Sequence, residues 1–246
     1  MSITGQHNRR LKEIRKLRMR RRWRERSGRF VAEGEDLLAA ADKAGWESVE
    51  RYCAAGSGLE GTPVEPALLA SASGIASGTR ALAVYEERWA AQPSGPLCVY
   101  LHGVHDPGNV GAVLRAAEAF GAASVALGPG SADPFAPKAV RASMGAIFAL
   151  PLAKTSTVAE LPGSKIALVP GQGKPLNELW PSDTTPRWQM DKDLTLLIGA
   201  EREGLPQAII DEADHTAHIP IKTNSLNAAM AATVALYELA LRMQKR

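Results

Sequence analysis

From residue 97 onward, short apolar runs alternate with stretches of helical spacing. Leu97 to Leu101, Ser124 to Leu127, Ala146 to Leu150, Lys165 to Val169 and Leu194 to Ile198 read as strands. Between and after them, Val110 to Phe120, Ala139 to Met144 and a long segment from about Leu226 to Met243 read as helices, the first stopped by Gly121. Short buried strands separated by helices predict a parallel sheet. The upstream part has a different texture. Asn8 to Arg26 contains good helix formers and no Pro or Gly, which predicts one helix. A strand follows at Arg29 to Gly34, then a helix at Asp36 to Ala44, with further short elements at Tyr52 to Ala55, Val64 to Ala70 and Ala81 to Tyr85. Ala91-Gln92-Pro93-Ser94-Gly95-Pro96 has linker composition. The expected architecture is therefore α/β, with a small domain over residues 1–92 and a parallel-sheet domain over 97–246.

Composition narrows the class. Hydrophobic residues make up 45% and charged residues 22% of 246 positions, as in an ordinary globular protein. No apolar run approaches bilayer-spanning length and Met1 is not followed by a signal-peptide pattern, so the expected location is the cytoplasm. Cys53 and Cys98 lack metal-ligand spacing, which argues against a zinc site or a disulfide scaffold; no metal is expected. The net charge of +3 conceals an asymmetry: residues 1–30 hold twelve Lys/Arg against Glu13 and Glu25. That is 12 − 2 = +10, leaving 3 − 10 = −7 for the remainder. So dense a cationic segment suits a polyanion, with Arg18, Arg20, Arg21, Arg22 and Arg24 as candidate phosphate contacts. A solvated arm is the plainer alternative. A membrane surface is disfavoured, because Ile14, Leu17 and Trp23 offer little apolar cover.

Three segments carry candidate chemistry. Asp106-Pro107-Gly108-Asn109-Val110-Gly111-Ala112-Val113-Leu114-Arg115 opens a helix, with Asn109 placed to cap it and Arg115 two turns in. Arg115 either pairs with a carboxylate such as Glu201 or Glu118, or grips an RNA phosphate or ribose. Leu197-Ile198-Gly199-Ala200-Glu201-Arg202-Glu203-Gly204 ends an apolar strand in a glycine-bounded loop, the place where α/β proteins bind ligands. Ile219-Pro220-Ile221-Lys222-Thr223-Asn224-Ser225-Leu226-Asn227 is extended and then opens the last helix, with Ser225 as its expected N-cap. That helix bears an apolar stripe at Leu226, Met230, Thr233-Val234, Tyr237 and Leu241, suited to a core or a dimer face. Dinucleotide and P-loop fingerprints are absent from the sequence.

In this order and separation, the three segments resemble the motifs of the SpoU/TrmH family of RNA 2′-O-methyltransferases. Arg141-Ala142-Ser143-Met144-Gly145-Ala146 and Ala117-Glu118-Ala119-Phe120-Gly121 add to the likeness. Phe30-Val31-Ala32-Glu33-Gly34 looks like the start of the small substrate domain that many members carry. The resemblance implies a deep trefoil knot at the carboxyl end, a homodimer, and S-adenosylmethionine held by Gly199, Ile219, Ile221 and Leu226. It further implies a reaction centre of Asn109, Arg115, Glu201, Ser225 and Asn227, and a ribose 2′-hydroxyl of structured RNA as substrate. Ribosomal RNA is favoured; a transfer-RNA enzyme, or an RNA-binding protein that keeps the fold without catalysis, is the alternative. One departure stands out: only Lys222-Thr223-Asn224 separate Ile221 from Ser225, where members usually have five residues including a Gly.

Overall fold

A computed structural model describes residues 2–74, 78–179, 193–223 and 225–244. In chain order the principal elements are α1 (Arg9–Met19), α2 (Arg21–Ser27), β1 (Arg29–Glu33), α3 (Glu35–Lys43), β2 (Glu50–Ala54), β3 (Thr62–Val64), α4 (Pro66–Ala72) and β4 (Ala81–Glu86). They continue with β5 (Leu97–Leu101), α5 (Pro107–Ala119), β6 (Ser124–Leu127), α6 (Pro137–Ser143), α7 (Ala146–Ala149), β7 (Leu152–Lys154), β8 (Ser164–Leu168) and β9 (Lys174–Pro175). Last come β10 (Leu194–Ile198), α8 (Gln207–Asp211), β11 (His215–His218) and α9 (Ala228–Gln244). Packing divides the chain into two units: Met1–Glu87 with Asp133–Ala149, and Arg88–Ala132 with Leu150–Arg246.

The first unit is built on a four-stranded sheet in the order β1-β4-β2-β3, with β4 antiparallel to both of its neighbours. Basic helix α1 is part of its core. Leu11, Ile14 and Leu17 recur at helical spacing and are at most 1% exposed, packed with Val31, Tyr52, Leu69 and Leu82. The single helix expected over Asn8 to Arg26 is two, because Arg20 is extended at φ −127°, ψ 108°. The break has a tertiary cause. Arg24 turns inward, 4% exposed, and its Nη1 donates to the carbonyls of Leu17 (2.6 Å) and Arg18 (3.3 Å) at the end of α1. Its Nε and Nη2 each lie 2.7 Å from Asp133 Oδ2. A helix end lacks intrahelical partners for its last carbonyls, and here a guanidinium supplies them.

Asp133–Ala149 completes this unit. Phe135 and Phe148 join Phe30, Trp46 and Tyr85 in an aromatic cluster, and Trp46 Nε1 donates to the Phe148 carbonyl at 2.9 Å. The strand expected at Ala146 to Leu150 is instead helix α7, with the strand β7 just beyond it. Ala146, Ile147 and Phe148 are all buried, so their run carries neither helical nor strand periodicity to decide the matter.

The second unit is a seven-stranded, wholly parallel sheet in the order β7-β6-β5-β10-β8-β11-β9. Late strand β10 sits at the centre, and β5, β6, β8 and β10 form where apolar runs predict them. The polar strand β11 and the two-residue β9 have no such signal.

Because Arg24 and Asp133 form a buried pair, removing one partner leaves an uncompensated charge. Arg24→Met is expected to cost about 3 kcal/mol in urea unfolding. The exposed Arg22→Ala should change stability by less than about 0.5 kcal/mol.

Candidate active site

At the carboxyl end of β5 the chain passes through His102 to Asp106 and enters α5. Asp106 caps that helix: its Oδ1 accepts from the Gly108 N–H (2.5 Å) and the Asn109 N–H (3.3 Å). The cap is therefore not Asn109, as expected, but the residue three before it. Asn109 lies within the first turn, and its side chain is free to point elsewhere. At the carboxyl end of neighbouring β10 the chain makes a tight turn, closed by Ala200 N–H to the Gly204 carbonyl (3.1 Å) and the reverse bond (3.0 Å). Gly199 permits it. A Cβ there would stand 2.2 Å from the Gly204 carbonyl carbon, and Gly204 itself has φ +70°.

These two turns and the start of α9 meet in one hydrogen-bonded junction. Asn109 Nδ2 donates to Glu201 Oε1 at 2.5 Å, and Asn109 Oδ1 accepts from Asn227 Nδ2 at 3.0 Å. Asn227 Oδ1 in turn accepts from the N–H groups of Ala229 (2.9 Å) and Met230 (3.3 Å). Asn227 is thus the N-cap of α9, the role expected of Ser225, which lies exposed two residues earlier. Glu201 is held by a charge-assisted bond, so its carboxylate has a fixed orientation.

Beside the junction lies a cavity of about 420 Å³ whose lining residues include Gly199, Glu201, Ile219, Ile221, Ser225 and Leu226. Its wall is completed by Leu168, Val169 and Pro170 at the carboxyl end of β8, and by Leu205 and Ile210. Those residues were not singled out as site residues from the sequence; the available signal was that Leu168, Val169 and Pro170 lie at the carboxyl end of a predicted parallel strand. Arg202 and Glu203, at the tip of the turn, also line the cavity.

Arg115 is exposed on α5, and among the described residues no hydrogen bond or ion pair holds it. Neither Glu118 nor Glu201 pairs with it. The other candidates on the first unit divide. Arg18 is drawn to buried Glu33, its Nε 2.5 Å from Oε1, and also donates to the Ala72 carbonyl. Arg24 is buried, as described above. Arg20, Arg21 and Arg22 are exposed, Arg21 in an i,i+4 pair with Glu25. His102 sits 3.1 Å from the Tyr100 hydroxyl through Nδ1, and burial lowers its pKa, favouring the neutral ring. Asn224 of the short loop lies outside the described residues. Among the described residues no group of three or more His, Cys, Asp and Glu is placed to hold a metal ion, and no helix is long and apolar enough to cross a membrane.

The apolar stripe of α9 faces outward. Met230, Val234, Tyr237 and Leu241 are 38–61% exposed, whereas Ala232, Ala235, Leu236 and Leu239 on the opposite face are fully buried. Small residues let α9 pack closely along α5, with Phe120 and Tyr237 in edge contact at 5.9 Å.

A parallel sheet with a ligand-sized cavity outside the carboxyl ends of its central strands defines an α/β protein built to bind a small molecule there. The chain belongs to the SpoU rRNA Methylase family, which it matches over residues 96–237, and residues 8–89 match the MRM3-like substrate binding domain. It is 31% identical over 138 residues to the 23S rRNA (guanosine(2553)-2′-O)-methyltransferase RlmP of Bacillus subtilis, a match covering 55% of this chain and 54% of that one. The chain spans about half the length of that relative and of the next curated one it matches. The crystal structure of AdoMet-bound rRNA methyltransferase from Sinorhizobium meliloti superposes with a TM-score of 0.83 at 28% identity, covering 99% of this chain and 98% of that one. The SpoU methyltransferase AviRb from Streptomyces viridochromogenes, in complex with AdoMet, gives 0.81 at 26%, covering 97% and 99%.

Asn227→Ala removes the cap of α9 and is expected to lower stability by about 1 kcal/mol in chemical denaturation. Asn227→Asp keeps an acceptor at the helix start and should recover most of that loss.

Proposed function

We propose that this protein transfers a methyl group from S-adenosylmethionine to a ribose 2′-hydroxyl of structured RNA. The observation that carries the reading is the Glu201–Asn109–Asn227 junction, which gathers all three motif segments at the edge of the cavity in a chain of this family. The cavity fits the cofactor. Its volume of about 420 Å³ suits a ligand of that size, and apolar walls at Ile198, Ile219, Ile221 and Leu226 suit a flat purine. When bound, the cofactor supplies an electrophilic sulfonium methyl for in-line displacement. Gly199, Ile219, Ile221 and Leu226 hold it, the glycine leaving backbone within reach.

The remaining work falls to side chains. Glu201, Asn109, Ser225 and Asn227 orient the ribose at the cavity mouth, and such positioning supplies several kcal/mol of a transfer barrier. Arg115 holds the adjacent phosphate and the 2′-hydroxyl. A guanidinium stays protonated at any ordinary pH, so the hydroxyl proton passes to that phosphate or to water and not to Arg115. That Arg115 has no intramolecular partner among the described residues supports this role.

The domain of residues 1–92 selects the RNA and residues 97–246 carry the methyl transfer. Exposed Arg20, Arg21 and Arg22 supply affinity without base identity, while Arg18 and Arg24 serve the fold. Relatives named for 23S rRNA favour ribosomal over transfer RNA. The protein works in the cytoplasm as a homodimer, its two copies meeting on the outward stripe Met230, Val234, Tyr237 and Leu241. The central position of β10, with β11 returning between β8 and β9, supports the knotted course of the chain.

Labelled methyl transferred from S-adenosylmethionine to total RNA should be recovered in alkali-resistant dinucleotides, because a 2′-O-methyl group removes the nucleophile that alkaline cleavage needs. RNA binding without any transfer would leave the non-catalytic alternative. Arg115→Ala is expected to lower turnover at least about a hundredfold with cofactor affinity unchanged in calorimetry; full turnover would refute its role. Replacing Arg20, Arg21 and Arg22 by Ala should reduce the slope of log K for RNA against log salt by about 2 to 3. Met230→Glu with Val234→Glu should yield monomers in analytical ultracentrifugation.

A further inference from the structure

The turn closed between Ala200 and Gly204 presents Glu201, Arg202 and Glu203 to the cavity in succession. Glu201 is engaged by Asn109. Arg202 and Glu203 are exposed, and among the described residues neither has a hydrogen bond or ion pair. Arg202 is also the only cationic side chain among the described residues that line the cavity; the other polar side chains there are Glu201, Glu203, Gln172, Gln207 and Ser225. Any anionic group on a ligand in this cavity loses water on entry and needs a charged or hydrogen-bonding partner. The guanidinium, whose donors match a carboxylate in pairs, is the one such cation on offer.

We infer that Arg202 is the cofactor-specificity residue of this site, binding the α-carboxylate of the methionyl moiety, with Glu203 beside it for the ammonium group. The inference rests on the reading that the cavity takes S-adenosylmethionine. Charge complementarity supports it. At neutral pH the ligand carries one carboxylate, one ammonium and one sulfonium. The charged lining residues, Glu201, Arg202 and Glu203, offer two carboxylates and one guanidinium in return. The purine then lies against Ile198, Ile219 and Leu226, and the amino-acid end lies at the turn.

The test compares S-adenosylmethionine with its decarboxylated analogue, which keeps the sulfonium and the amine, by calorimetric titration of the full-length protein. Wild type should prefer the intact cofactor by about tenfold or more. R202Q should lose about that factor for the intact cofactor and stay within about twofold for the analogue, collapsing the preference. R202K, which keeps the charge without the fork, should fall between, and the wild-type preference should shrink as salt is raised. Equal wild-type affinity for both ligands, or equal weakening of both by R202Q, overturns the assignment. So does unchanged cofactor binding in R202Q alongside weakened RNA binding, which would make Arg202 a phosphate contact. Wild type that binds neither ligand would overturn the cofactor reading itself, a result distinct from the loss of preference alone.

Discussion

Asn109 has one side-chain amide, and both of its ends are in use. The nitrogen donates to Glu201 and the oxygen accepts from Asn227, whose own oxygen caps α9. Three segments separated by up to 118 residues are thereby tied through two hydrogen bonds. The amide's directionality matters here. A carboxylate in its place would face Glu201 with like charge, and an apolar residue would release both neighbours. The positions of the Glu201 carboxylate at the cavity edge and of the first turn of α9 depend on this residue, and the site's geometry follows from them.

The tie is possible because of the sheet. The centre of the parallel sheet holds β5 and β10 side by side, so the loops leaving their carboxyl ends are neighbours. Gly199 allows the second loop to fold back on itself within five residues, which brings Glu201 toward Asn109. On the far side, β8 and β11 deliver Val169 and Ile219 to the same cavity. One face of the turn thus serves the junction and the tip serves the ligand.

Positive charge in the first unit is allocated in two ways. Glu33, buried and reached by Arg18 and Arg141, and Asp133, paired with Arg24, take up cations whose desolvation would otherwise be costly. What remains on the surface is a smaller set, including Arg20 and Arg22, open to a polyanion. A run of arginines in the sequence looks uniform, yet burial makes some of them structural members and leaves others as ligands for phosphate. The sequence offers one clue to the difference: Leu11, Ile14 and Leu17 mark the side of α1 that faces inward.

Much of the second unit was legible without coordinates. Apolar runs located β5, β6, β8 and β10, and the family resemblance of the three motifs pointed to Gly199, Glu201, Ile219, Ile221, Ser225 and Leu226, which line the cavity. Local chemistry was less decisive. Asn109 and Ser225 were the expected caps, yet Asp106 and Asn227 take those roles; which side chain caps depends on where the chain enters the helix. The break at Arg20 has no Gly or Pro to announce it, since its cause is Asp133, 109 residues beyond Arg24 in the chain. The buried run at α7 carries no period because both of its faces are covered. The stripe on α9 was visible as a stripe, but a periodic pattern does not say which face is inside; alanines took the inner face because α5 lies close. The sequence by itself determined the central strands of the second unit, through their apolar patterning, and the chemical groups available, since both are local properties. Only the tertiary structure decided which arginines are buried, which side chains cap, and which groups meet at the cavity, because each depends on partners distant along the chain.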